Sequence, residues 1–298
     1  MRARLDASDD VPGELRRNFL GVLDRALAEA SGFPERPAGE RPEAIRQVRK
    51  ATKALRAMIP LLVAVGPDDA RAGAERCLAD AAGVLSPVRD RDAMLAIIGR
   101  LLAGRDDARA GRFREELVAA LVPAIGPSEE ARLDELLVAR ATLELRRVRA
   151  AAATWDFAAV DLDALEEAMV ASWRETRALA RSDWSADHGA RAHEVRKRCS
   201  RLALQVGLFE GRDRRLKRIR RVLKRTCDLL GEEHDLAMLA ERVALESRSF
   251  SREGLADAVG VLCAAARQRL RETALDAVGD AFSIGGRRFR KRLGRTLS

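Results

Sequence analysis

The stretch IRQVRKATKALR, residues Ile45–Arg56, governs how the rest of the chain is read. On a helix advancing about 100° per residue, Arg46, Arg49, Lys50, Lys53 and Arg56 fall within about 120° of one another. Ile45, Val48, Leu55 and Ile59 take an alternate face and offer the core contact. The motif returns in the second half as HEVRKRCSRLAL, His193–Leu204, which presents His193, Arg196, Lys197 and Arg201. The two copies stand 147 residues apart. Downstream of each, Asp92-Ala93-Met94-Leu95 is echoed by Asp235-Leu236-Ala237-Met238-Leu239 at an offset of 143 residues. Such self-similarity marks a duplicated unit, so the chain reads as two similar all-α halves of roughly 140 residues each, built either as separate domains or around one shared core.

The wider composition agrees with an all-α fold. Ala, Leu, Arg and Glu dominate, Tyr is absent, and β-branched runs are missing, which is the residue usage of helices. All nine prolines lie at or before Pro127, several where a helix would start. Ser86-Pro87 reads as an N-cap followed by a first helical residue, and Gly126-Pro127-Ser128-Glu129-Glu130 as a second start with acids in its first turn. Gly66, Gly104, Gly189, Gly211, Gly231 and Gly285-Gly286 punctuate the chain, and a loop is expected near residues 181–191. These marks predict helices of about 12–25 residues joined by short loops. Three apolar sets have helical spacing and are expected to face a core: Leu216, Ile219, Val222, Leu223, Leu229 and Leu230; Leu133, Leu136, Leu137, Leu143 and Leu145; and Leu255, Val259, Leu262, Ala266 and Leu270.

With 47% hydrophobic and 34% charged residues over 298 positions, the chain has the material for a packed core. Its longest apolar run, Met58–Val65, is broken by Pro60 and falls short of the ~20 residues a membrane span needs. The opening MRARLDASDD lacks a secretory h-region. A soluble, cytoplasmic protein is expected. Cys77, Cys199, Cys227 and Cys263 are scattered with no CxxC, as for small buried apolar residues in a reducing compartment.

The net charge of +9 is local: residues 191–225 hold 14 basic and 3 acidic side chains. Within them a third ladder, Arg214, Lys217, Arg220, Arg221 and Lys224, shares one helical face. A single run of cations on a helix is usually a solvated surface, and like charges at i,i+4 repel by a few tenths of a kcal/mol. Three ladders, two in a repeated motif, point instead to an anion with regularly spaced charges, which Arg and Lys recognise as phosphate.

Here IRQVRKATKALR and HEVRKRCSRLAL resemble the paired signature helices of the CHAD (conserved histidine α-helical domain) family, and VRDRDAML (Val88–Leu95) and LGEEHDLAML (Leu230–Leu239) resemble its second signature in each half. The resemblance covers residues 10–295 and implies a single unit of repeat halves 10–150 and 151–295, as two pseudo-symmetric four-helix bundles around a basic central groove or pore. It also implies binding of inorganic polyphosphate, association with polyphosphate granules, and no required catalysis. The family's signature His falls on Arg46 and on His193. The basic positions that follow are Arg49, Lys50, Lys53 and Arg56 in the first half, and Arg196, Lys197, Ser200 and Ala203 in the second. The chain thus departs at Arg46, Ser200 and Ala203, with Arg201, Lys217, Arg220, Arg221 and Lys224 able to restore charge.

Rival chemistry is thinly supported. Asp90, Asp92, Glu232, Glu233 and Asp235 are of a type that holds a divalent cation beside a phosphate chain, but such acids more often cap helices or pair with arginines. His234-Asp235 superficially matches the doublet of metal-dependent phosphohydrolases, yet with only His188, His193 and His234 a zinc or di-iron centre is starved of ligands. No P-loop or GxSxG element occurs. No enzyme, metal or cofactor is expected. Trp155, Trp173, Trp184 and the eight Phe are too sparse for base stacking and read as core anchors, with Phe289 seating a basic C-terminal helix. The alternatives are a sequence-blind nucleic-acid binder, for which DNA is the natural competitor, and an accessory subunit of a polyphosphate-processing enzyme.

Overall fold

A computed structural model describes residues 10–103, 108–121, 126–184, 188–250 and 254–297. Among these residues there are eleven α-helices and no strand: α1 (Val11–Ser31), α2 (Arg41–Met58), α3 (Asp68–Val84), α4 (Ser86–Leu101), α5 (Ala108–Leu121), α6 (Pro127–Ala152), α7 (Leu162–Ala180), α8 (His188–Phe209), α9 (Arg214–Leu245), α10 (Leu255–Ala281) and α11 (Gly286–Leu297). None is long and apolar enough to cross a membrane. Gly104, expected to punctuate, lies outside the described residues, as do the first nine residues and three of the expected loop near 181–191.

Several starts follow from local chemistry. Asp10 accepts the Gly13 N–H at 2.8 Å at the head of α1, Asp161 accepts from the N–H groups of Asp163 and Ala164 before α7, and Asp213 accepts from Arg215 before α9. Each satisfies N–H groups that a helix start leaves unpaired. Helix α6 begins at Pro127 with Glu129 and Glu130 in its first turn, as expected. Ser86 differs from expectation. It is the first residue of α4 and makes no cap; its hydroxyl donates back to the Ala82 carbonyl of α3 at 3.3 Å, because only Leu85 separates the two helices.

Helix α9 runs for 32 residues straight through Gly231, which sequence punctuation treats as a stop. Its buried positions Leu216, Ile219, Leu223, Thr226, Leu230, Glu233, Leu236, Leu239 and Val243 continue across the glycine in one stripe. Burial of that stripe outweighs the ~1 kcal/mol that glycine costs inside a helix.

The apolar interior falls into two clusters. The larger draws on α1, α2, α3, the start of α4, α6, α7, α8, the first half of α9, the end of α10, and α11, so it joins residues from both sides of position 150. The smaller holds Ile97, Ile98 and Leu102, Leu117 and Leu121, Leu236, Leu239 and Val243, and Leu255, Val259 and Cys263. Helices α9 and α10 pack along each other and enter both clusters. Between the clusters the buried Glu233 receives Arg267 at 3.0 Å and Arg271 at 2.9 Å from α10.

The tryptophans are core residues, and Phe289 stacks on Trp173 with ring centroids 4.3 Å apart, which fastens α11 to α7. Cys199 and Cys263 are buried, Cys77 and Cys227 half-buried, and all four are free thiols. The leucines of α6 depart from expectation. Leu145 is buried, but Leu133, Leu136 and Leu143 are exposed. Helix α6 turns Val138, Ala141, Leu145, Val148 and Ala152 inward, a stripe with the same periodicity whose small residues allow close packing on α3 and α1.

Candidate functional site

Of the helices that carry the cation ladders, α8 and α9 form an antiparallel hairpin around Gly211–Asp213, and α2 packs on α8. Along the hairpin His193 faces His234, with ring centroids 5.3 Å apart, the Arg196 side chain lies against Gly231, and Arg220 lies against Gly207, where an added Cβ would stand 2.9 Å from its Nε. The α2–α8 crossing is fixed by Gln205, which donates to the Ala57 carbonyl at 3.1 Å. Lys53 of α2 and Arg196 of α8 both act electrostatically on Cys227 of α9. Burial pushes that thiol up to about 12, Asp228 adds to the rise, and the two cations oppose it, so Cys227 is an inert neutral group at physiological pH.

The predicted residues divide by what they touch. Arg46 is exposed and pairs with Glu43 one turn back. Glu43 is held below the usual carboxylate range by hydrogen bonds from Gln47 and Arg46, with Lys50 adding to the effect. Arg49 donates to the Ala82 carbonyl at 3.1 Å, bracing α2 on α3. Lys53 is exposed and Arg56 half-buried, with the Arg56 Nε enclosed and without a hydrogen-bond partner. On α8, Lys197 pairs with Glu194 at 3.1 Å and Arg201 with Glu75 of α3 at 3.1 Å. On α9, Arg220 binds the nearly buried Glu210 at 2.8 Å, whereas Lys217, Arg221 and Lys224 are exposed and enter no ion pair with the described residues.

At one end the hairpin opens into a cleft of about 580 Å³ bounded by Gly189, Ala190, His193, Glu194, Glu233, His234, Ala237, Met238, Glu241 and Arg267. His193 is half-buried and its Nδ1 is enclosed without a partner. Burial, then the nearby Arg196, His234 and Lys197, push its pKa down, against a smaller opposing effect of Glu194. His188, against Trp184, is also pushed down by burial and by Arg271 and Arg267, with Glu233 opposing. Both imidazoles are therefore neutral at pH 7.

Two of the acids singled out in the sequence have structural partners. Glu233 holds Arg267 and Arg271, and Asp235 faces Arg100 of α4 at 3.6 Å. The side chains of Asp92 and Arg89 lie outside the described ones. Among the described residues no three His, Cys, Asp or Glu side chains gather as a metal site. Sequence reasoning missed His234 as the neighbour of His193. The signal was present, since the two stand about 20 residues either side of the Asp213 turn, and an antiparallel hairpin brings such positions together.

A family model described as CHAD domain matches residues 21–244, from within α1 to the end of α9. No curated protein matches the chain.

Proposed function

The chain belongs to the CHAD domain family, and from that premise we propose that it binds inorganic polyphosphate, without catalysis, along the cation-rich surface of α2, α8 and the first half of α9. The observation that carries this reading is the exposed row Lys217, Arg221 and Lys224, free of ion pairs with the described residues, on a helix packed against the one bearing Arg196 and Lys197. A rigid hairpin holds these charges in position before the ligand arrives, which lowers the ordering cost of binding. Affinity comes from many contacts to phosphate oxygens and release of the polymer's counterions. The repeat halves act as two pseudo-symmetric bundles flanking the groove, and in the cell such binding places the protein at cytoplasmic polyphosphate granules.

The deciding experiment titrates the full chain with long-chain polyphosphate over a range of salt, with duplex DNA as competitor at equal phosphate concentration. Preference for polyphosphate, lost in K197E/R221E, supports the reading. Equal displacement by DNA makes the protein a general polyanion binder, and unchanged binding by the variant removes the groove from the assignment. Phosphate release from polyphosphate by the isolated chain would overturn the non-catalytic part.

A further inference from the structure

Helix α11 lies beyond the matched residues 21–244, and its sequence GRRFRKRLGRTL holds six cations and no carboxylate. Its apolar side is already used: Phe289 and Leu293 are buried, and Phe289 stacks on Trp173. One cation is also used, since Arg290 pairs with Glu167 and approaches Glu166 of α7. The other side is different. Arg287, Arg288, Lys291 and Arg295 are exposed, fall within about 100° of helix circumference, and have no ion pair among the described residues.

Local electrostatics oppose this arrangement. Like charges at i,i+4 repel, and Arg287 and Arg288 stand in the first turn, where the helix dipole disfavours cations. Gly286 adds a fifth: with no Cβ it lets Arg174 of α7 lie against the start of the helix, where a Cβ would stand 2.9 Å from the Arg174 Cγ and Nε. At its other end α11 is tied to the head of α9, because Arg212 donates to the Thr296 carbonyl at 3.0 Å. The end of one cation-rich helix therefore adjoins the start of another, at Arg214 and Arg215.

From this juxtaposition we infer that α11 is a second docking surface for the same phosphate polymer, engaged only by chains long enough to run past the head of α9. This rests on the polyphosphate reading above and adds a consequence that the groove alone does not have: affinity that goes on growing after the chain has filled the groove. From Arg287 to Arg295 the face is about 12 Å long, and its charge complements a flexible polyanion. An amphipathic anchor in lipid would need an apolar side that α11 has already buried.

The test compares the full-length wild type with R287Q/R288Q/K291Q/R295Q, using a short polyphosphate of a few units and a chain of a hundred or more. The variant is expected to bind the short ligand as the wild type does and the long one roughly tenfold more weakly, with the salt slope lower by about 2–3. The double variant R287Q/R295Q should give an intermediate loss, and thermal melting checks that the Phe289–Trp173 contact is kept. Equal long-chain affinity in wild type and variants overturns the inference while leaving the groove intact. A wild type that binds neither ligand overturns both readings. Loss of duplex DNA binding with long-chain polyphosphate unaffected overturns this one by assigning the face to nucleic acid.

Discussion

Helix α2 and the first half of α9 carry the same pattern, five cations within about 120° of helix circumference, yet the fold uses them differently. On α2, Arg46 is held by Glu43, Arg49 by the Ala82 carbonyl, and Arg56 is half-enclosed. In the α9 ladder Arg220 pairs with Glu210, and Lys217, Arg221 and Lys224 are exposed and enter no ion pair with the described residues. The reason is what lies alongside. Helix α2 packs against α1, α3 and α8, so cations flanking its buried stripe meet neighbouring backbone. The outer face of α9 stands clear of the hairpin, and its cations remain available. A shared face in the sequence is therefore not a shared role.

Reversing charge on the available row should separate the two helices most sharply. The variant K217E/R221E/K224E is expected to lose at least about 100-fold in polyphosphate affinity, with a salt slope lower by about 2. R49Q should cost no more than about threefold in affinity but about 1–2 kcal/mol in stability, through its lost hydrogen bond. Titration and urea unfolding of both variants would erase the comparison if the affinity losses came out equal.

Within α9 itself, R220A strands Glu210, whose side chain is 6% exposed. A loss of about 2–3 kcal/mol in unfolding free energy is expected, against about 0.5 kcal/mol or less for R221A one residue on. Similar losses for the two would show that Arg220 is as free as its neighbour.

The third prediction concerns pH. His193 has a folded pKa below its ordinary 6.5, so the unfolded chain takes up its proton first. Its contribution to stability is present above that value and is lost as the pH falls through 6.5 toward the lowered value. Bound polyanion favours the imidazolium, so affinity should move the opposite way and rise by about threefold from pH 7.5 to 5.5. H193Q should flatten both profiles, and a profile unaffected by H193Q would place the titration elsewhere. The smallest effect is expected at the Arg201–Glu75 pair. Both side chains are more than a third exposed, so R201Q should shift stability by about 0.5 kcal/mol or less. A larger shift would mean that this contact holds α8 against α3.

Much of this was legible in the chain. The helical character, the repeated basic motifs and the start at Pro127 rest on local preferences and on the 3.6-residue period, which act within a few residues. The α6 leucines mark where that ends. Both the stripe with Leu136 and Leu143 and the stripe with Val138 and Leu145 satisfy the period, and only packing on α3 and α1 decides that the second is buried. Gly231 marks it again, as a local cost overridden by burial along α9. In the candidate site, the cations were legible, but the partners of Arg49 and Arg201 were not, because Ala82 and Glu75 lie far from them in sequence.

The amino-acid sequence by itself determined that the chain is helical, that it carries three cation ladders, and that two of them belong to a repeated motif of the CHAD family. It did so because periodicity and propensity are properties of neighbouring residues. The tertiary structure decided that His193 lies beside His234, that Arg220 serves Glu210 and Arg49 serves α3, and that Lys217, Arg221 and Lys224 enter no ion pair with the described residues. Those outcomes depend on which helices lie side by side, and a charge becomes available for a ligand only where no neighbouring helix has supplied it with a partner.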